Sequence, residues 1–326
     1  MLPFITRRVL GAAVTLVIIS AVTFFLFFAV PADPARLACG KVCPPELLEQ
    51  ARHNLGLDQP LFAQFVAWLA GIFVGRDYGG LGDCPAPCLG FSFVNRAPVW
   101  ETILDRLPLT ISLTIGAAVV FLTFGVATGI IAALRQGKPL DKIASVSSLI
   151  GASVQIYFIG TLALYFLVYQ NQIFWRPKYV EFTQDPVGWA TGLLLPWLVL
   201  AIIFTANYTR MTRSTMVEQL SEDYVRTARA KGMSGRSVVM RFAMRGTLTP
   251  IITIFGVDLG ALIGGAIITE QTFGLQGLGQ LSVKAVTNSD LPMLMATVLV
   301  AAAAIVLFNI VVDIAYAFID PRVRLS

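Results

Sequence analysis

Asp258 is the only charged residue between Leu248 and Thr269, a run otherwise made of apolar, glycine, proline and threonine residues. A carboxylate at membrane depth costs about 2.5–3.5 kcal/mol on insertion scales, so it normally faces a cavity or a partner. Two roles are open to it. It lines a path and meets the cationic amine of a transported molecule, or it is hydrogen-bonded to a neighbouring helix. Gly256, Gly260, Gly264 and Gly265 lie in the same run and form a small-residue face. Such a face lets a second helix pack closely, here expected to be the same span of a partner subunit across a central pore. Asp258, Gly260 and Gly264 are therefore the candidate path residues. Asp313, near the inner end of the last apolar run, is read as snorkelling or paired.

The remaining chemistry is sparse. His53 is the single histidine and builds no metal site with conventional spacing. No G-x-x-x-x-G-K-[ST] loop is present, so the chain does not hold ATP by that route. No Ser/His/Asp or Cys/His constellation is readable, and apart from Asp258 nothing supports an intramembrane enzyme or a stand-alone channel. All four cysteines fall in one stretch, as Cys39-x-x-x-Cys43 and Cys84-x-x-x-Cys88. In a reducing compartment this spacing would suggest metal; outside it, disulfides are the better reading. Pairing 39–43 with 84–88 is the first choice, and a cross-link between the two loops is the alternative.

The elements that position these residues follow from composition. The 326 residues are 56% hydrophobic and only 13% charged, against about 25% charged in an average soluble domain. Mean hydropathy is +0.75. These values describe an integral membrane protein. The net charge of +5 reflects topology rather than nucleic-acid binding.

Six apolar runs each meet the roughly 20-residue requirement of a spanning helix. They are 9–30, 109–134, 143–169, 189–208, 248–269 and 291–319. The first follows Arg7 and Arg8, is too long for a signal-peptide core, and is read as a retained span. Residues 31–106 are close to neutral and suit the outside, as an insertion carrying both cysteine loops. Within it, 60–74 is an amphipathic helix with Leu61, Phe65, Trp68, Leu69 and Ile72 on one side. It forms either part of an external cap or an interfacial helix. The chain thus divides into an N-terminal segment and first span (1–30), the extracytoplasmic insertion (31–106) and a core of five spans (107–326). Basic residues concentrate between alternate spans and near both ends, which places both termini in the cytoplasm. No internal repeat is visible, unlike the duplicated halves of many secondary transporters.

The largest basic connection is 209–247, with eight Lys/Arg against three Asp/Glu. Met216, Leu220, Tyr224 and Ala228 recur every four residues, which predicts one face of a helix. That helix is expected to stop near Gly232. Ser234 is expected to cap a second short helix that points Val238 and Phe242 one way and Arg241 and Arg245 another. Pro250 is expected to open the next apolar run. Ala228, Ala230 and Gly232 leave the tip thin enough for another protein to approach the backbone. On pattern alone, a loop lying on anionic headgroups is equally consistent.

Arg226-Thr227-Ala228-x-x-x-Gly232, with Pro250 downstream, resembles the E-A-A-x-x-x-G docking loop of ABC importer permeases. Its first two positions depart from that general form. They match the dipeptide/oligopeptide branch, which reads Y-x-R-T-A-R-A-K-G. Tyr224, Arg226, Thr227, Ala228, Arg229, Ala230, Lys231 and Gly232 reproduce that string. Pro31-Ala32-Asp33-Pro34-Ala35, Leu55-Gly56-Leu57-Asp58-Gln59-Pro60, Arg106-Leu107-Pro108-Leu109-Thr110 and Asp320-Pro321-Arg322-Val323-Arg324 are similar to further landmarks of the dipeptide/oligopeptide/nickel permeases. The cysteine loops look like additions to the pattern. The glycine-rich stretch Glu270–Gly279 is similar to a segment beside the family's fifth span. Glu270, Phe273, Gly277 and Gly279 are its candidate gate residues. Gln276 stands where these permeases usually carry a proline.

The resemblance implies an all-α permease fold of six spans, with 209–247 as the ATPase-coupling loop. It implies a heterodimer with a second permease, two ATPase subunits that carry ATP and Mg2+, and an external substrate-binding protein. This chain would itself bind no cofactor. The bacterial cytoplasmic membrane and its lipid are the expected setting, and di- or oligopeptides the expected cargo. A nickel chelate or another small solute is the alternative.

Overall fold

The computed structural model describes residues 2–29, 35–36, 44–55, 57–78, 82–92 and 94–319. Cys39, Cys43 and the Asp320–Arg324 landmark lie outside the described residues. The regular structure of the described residues is helical apart from two short antiparallel β pairs. Two units can be distinguished. One comprises Met1–Thr110, Ile263–Ile267 and Gln276–Val306; the other comprises Ile111–Leu262, Ile268–Leu275 and Leu307–Ser326.

The first unit begins with α1 (Leu2–Ala29), α2 (Pro45–Leu55) and α3 (Leu61–Val74). Aromatic periodicity explains where α3 docks. Phe65 and Trp68 share one face and pack on Phe24 of α1 and Met295. Phe62, Val66, Phe73 and Val74 lie exposed around the rest of α3. The helix is thus apolar on every side, which suits a setting in or at the membrane better than a hydrated cap. After α3 come β1 (Arg76–Asp77) paired with β2 (Asp83–Cys84), and β3 (Phe91–Ser92) paired with β4 (Ala97–Pro98). A Cys84–Cys88 disulfide closes the turn between the two pairs. It packs with Tyr78 and Phe91 as a small core of its own. This is one half of the first-choice cysteine pairing.

Helix α4 (Val99–Leu134) contributes Val99 and Ile103 to the main core of the first unit, against Leu278, Leu281, Met293 and Ala296. The helix begins about three turns before its apolar run at 109, because Glu101, Asp105 and Arg106 extend the helix rather than end it.

In the second unit, the run expected as one straight third span is broken. Helices α5 (Pro139–Ser153) and α6 (Ile156–Gln170) meet at 94°. Val154 and Gln155 take extended backbone at the break. Composition identifies an apolar run but carries no information on a bend inside it. The last seven residues of α6, Leu164–Gln170, form a π-helical stretch.

Helix α7 (Pro186–Ser221) is a single 36-residue helix. It passes through the expected boundary at Tyr208, so Arg210 and Arg213 belong to a spanning helix and not to a loop. Glycines on α4 admit it closely. A Cβ at Gly125 would come within 2.7 Å of Tyr208 Cβ, and one at Gly129 within 2.6 Å of Thr212 Cβ. Thr128 and Thr209 hydroxyls then hydrogen-bond across the seam at 2.7 Å.

A short helix α8 (Asp223–Ala230) follows, then the long helix α9 (Gly235–Ile263). Within α9, Val238–Ala243 is π-helical and Pro250 is internal. The expectation that Pro250 opens the helix is therefore corrected; the missing N–H is tolerated inside it. Short helices α10 (Ile267–Phe273) and α11 (Leu278–Thr287) lead to α12 (Leu291–Ile319). Among the described residues five helices are long and apolar enough to cross a membrane, or six when the bent α5–α6 pair counts as one span. The chain is an all-α multi-pass membrane protein.

Candidate functional site

Two sites emerge from the second unit, one at the α7–α9 connection and one around Asp258. The expected single helix over Met216–Ala228 is in fact two. Glu222 takes extended backbone between α7 and α8. The break shifts the buried face by one residue: Val225 is fully buried and Tyr224 is 42% exposed. Met216, Val225, Ala228, Val238 and Ala243 close one apolar cluster that holds α8 against the ends of α7 and α9. The stop at Gly232 and the Ser234 cap follow the sequence. Gly232 has φ +75°, a conformation that favours glycine. Ser234 accepts the Ser237 N–H at 3.4 Å.

Of the eight string residues, Ala228 is buried in this cluster. Tyr224, Arg226, Thr227, Arg229, Ala230, Lys231 and Gly232 are exposed. The space beside Gly232 is open, with nothing within 4 Å of a would-be Cβ. Tyr224 Oη donates to Gln219 Oε1 at 2.5 Å; desolvation and the neighbouring Glu222 push its phenol up. Arg226 and Asp223 lie 3.5 Å apart, and both are solvated, so the pair contributes little. The result is a firmly seated short helix that presents a basic, thin-tipped surface.

On α5, Asp141 takes a pair of hydrogen bonds from the Arg213 guanidinium of α7, Nε to Oδ1 and Nη2 to Oδ2. The Gly137 N–H adds a third at 2.9 Å. Asp141 is buried and Arg213 is half-buried. This brace was not legible, because the two residues are 72 positions apart.

Asp258 is half-buried on α9 and accepts the Tyr208 hydroxyl of α7 at 2.8 Å. Tyr208 is itself fixed by Phe121, whose ring centroid is 5.0 Å away. The same carboxylate borders a cavity of about 660 Å³, lined also by Asn207, Arg210 and Ser214. The hydrogen bond to a neighbouring helix and the position on a cavity therefore hold together. The glycines beside Asp258 serve packing within the chain. Gly256 is buried against Val312 of α12, and Gly260 is buried. The expectation that this face awaits a partner's helix is corrected at Gly256, where α12 of the same chain occupies it. Gly264 is half-buried.

The stretch after α9 is two short helices rather than an open loop. Glu270 and Phe273 are buried in α10. In the first unit, Gly277 and Gly279 are buried at the start of α11. A Cβ at Gly279 would strike the Ile267 backbone at 2.6 Å. Gln276, at the position of the missing proline, accepts a hydrogen bond from the Arg106 guanidinium. The Leu278 N–H donates to Thr110 Oγ1 at 2.9 Å. Side-chain hydrogen bonds thus tie down the segment where a proline ring would have. Among the described residues no group of three His, Cys, Asp or Glu is placed to hold a metal.

Residues 1–114 match the N-terminal part of the membrane component of binding-protein-dependent transport systems. Residues 125–325 match the binding-protein-dependent transport system inner membrane component. The chain belongs to this family. It is 37% identical over 326 residues to a peptide transport system permease protein of Brucella abortus, covering 99% of each chain. It is 36% identical over 324 residues to the glutathione transport system permease protein GsiC of Escherichia coli K12, again covering 99% of each. The fold is similar to a chain of the MetNI methionine ABC transporter in an inward-facing conformation. The TM-score is 0.52 at 17% identity, over 68% of this chain and 97% of that one. The protein is accordingly an ABC transporter permease subunit that works with ATPase and substrate-binding partners, and ATP is used by the ATPases.

Proposed function

We propose that this chain imports short peptides across the bacterial cytoplasmic membrane, as one permease of a heterodimer. Two ATPase subunits and an external binding protein complete the machine. The observation that carries the docking role is α8: its buried side is locked to α7 and α9, while Arg226, Arg229, Ala230, Lys231 and Gly232 face outward. A surface mounted on the ends of two spanning helices transmits a push from the ATPases directly to them. Both termini and α8 then lie in the cytoplasm, in line with the Lys/Arg excess there. The cysteine hairpin lies outside, where an oxidised Cys84–Cys88 pair is stable.

Transport proceeds by alternating access. ATP binds one arrangement of the complex better than the other and so shifts the population between inward- and outward-open forms. Asp258 and Gly260 on α9, and Gly264 just past its end, belong to the path. Glu270, Phe273, Gly277 and Gly279 belong to its outer rim, the first pair on α10 and the second at the start of α11. Relatives named for peptide and glutathione transport support a peptide cargo over a nickel chelate. ATP-dependent uptake of labelled di- and tripeptides into proteoliposomes holding the whole complex tests this reading. Uptake that needs both ATP and the binding protein is expected; uptake by this chain alone would overturn it.

A further inference from the structure

Helix α7 carries Asn207, Arg210 and Ser214 at spacings of three and four residues, on one exposed face of a membrane-spanning helix. Polar and charged side chains on a spanning helix face protein or water rather than lipid. All three line the cavity that Asp258 and Tyr208 also border. Among the described residues Arg210 makes no ion pair, in contrast to Arg213 one turn further on. One cavity therefore offers an open guanidinium from α7 and an open carboxylate edge from α9.

The cavity, at about 660 Å³, falls in the range of small-molecule sites. From Asn207 to Ser214 the stripe runs about 10 Å along the helix axis. An extended di- or tripeptide spans about 7–10 Å. We propose that this cavity is a transit subsite for a zwitterionic short peptide. The peptide's ammonium meets Asp258, whose second oxygen is held by Tyr208. Its carboxylate meets the Arg210 fork, with Asn207 and Ser214 donating beside it. Arg is suited to this task because its planar donors match a carboxylate in two places. The site holds cargo weakly, as a path must for cargo to leave it. This assignment rests on the peptide reading above and adds to it the recognition of both free termini.

The test uses the purified complete permease–ATPase complex without its binding protein, so that peptide selection by that protein does not enter. Binding of dialanine, and of dialanine amidated at its C-terminus, is measured by saturation-transfer NMR. The wild type is compared with Arg210→Gln and Arg210→Lys, each checked for intact subunit composition. Uptake of dialanine and trialanine by the wild-type complex with its binding protein is measured in parallel. Dialanine affinity is expected to fall about tenfold in Arg210→Gln, the order expected for one charge-assisted hydrogen-bonded pair. Arg210→Lys is expected to fall between the two, keeping the charge but losing the two-point match, and the amidated peptide to bind weakly and equally in all three proteins. Equal dialanine binding in wild type and Arg210→Gln, alongside normal wild-type uptake, overturns the subsite and leaves the peptide reading standing. Absence of both binding and uptake in the wild type overturns the two together.

Discussion

Arg210 and Arg213 stand one turn apart on α7, and the structure treats them in opposite ways. Arg213 is spent on Asp141: the pair is bidentate, rests on a buried carboxylate and is completed by the Gly137 amide. It joins α5 to α7 as a fixed brace. Arg210 stays exposed on a cavity, and Asp258 across that cavity takes only the Tyr208 hydroxyl. A transporter needs both arrangements. Satisfied charge pairs hold helices together through the cycle, while charges left open at membrane depth are costly and persist where they contact something that passes. The contrast separates architecture from path on a single helix.

The contrast is sharpest at the brace. Arg213→Ala leaves Asp141 buried without its guanidinium. It is expected to cost about 2–3 kcal/mol, below the roughly 3–5 kcal/mol of a fully buried pair, because Arg213 is partly exposed. A lowered melting temperature of the purified complex, with assembly impaired, is the expected reading; an unchanged one would mean that the brace is idle. Asp258→Asn should behave in the reverse way. The Asn carbonyl still accepts from Tyr208, so stability is expected to change by less than about 0.5 kcal/mol. Uptake of peptides with a free amino terminus is expected to drop about tenfold. Loss of stability without selective loss of uptake would make Asp258 a packing residue like Asp141.

A smaller effect belongs to Asp290, at the start of α12. Burial pushes its carboxyl above the ordinary carboxylate range, against the lowering influence of the Ser92 hydroxyl and the Met293 amide. With the folded pKa above the unfolded one, its contribution to stability is full at low pH and is lost as pH rises through the folded value. Asp290→Asn is therefore expected to flatten the fall in thermal stability with rising pH from about pH 4 upward. The same slope in the variant would assign the pH dependence elsewhere.

Legibility followed the range of the interactions. Gly232 and Ser234 were readable because a helix stop and a cap are decided within a few residues. Membrane spans were readable because burial in lipid needs only length and apolarity. The bend between α5 and α6 was not, since both sides of it are equally apolar. The brace and the Tyr208–Asp258 bond were not, because their partners are brought together by α5–α7 and α7–α9 packing. Pro250 misled because proline marks a helix start only on average, and here it is interior. Arg210 was counted as loop charge, yet the Asn207-x-x-Arg210-x-x-x-Ser214 spacing was there to be read. The boundary drawn at Tyr208 hid it, since charge ended the apolar run without ending the helix.

The central claim is that α8 is where the ATPases push. Gly232→Glu tests it imperfectly, because φ +75° at that position strains any side chain. Ala230 is exposed at the helical end of α8, and Glu there places a bulky negative charge on the same surface without backbone strain. The decisive measurement is co-purification of tagged wild type and Ala230→Glu from detergent, with the second permease and the ATPases quantified. The account predicts that the variant keeps the second permease and loses most of the ATPase. Full ATPase recovery with undiminished uptake would contradict it and move the docking surface away from α8.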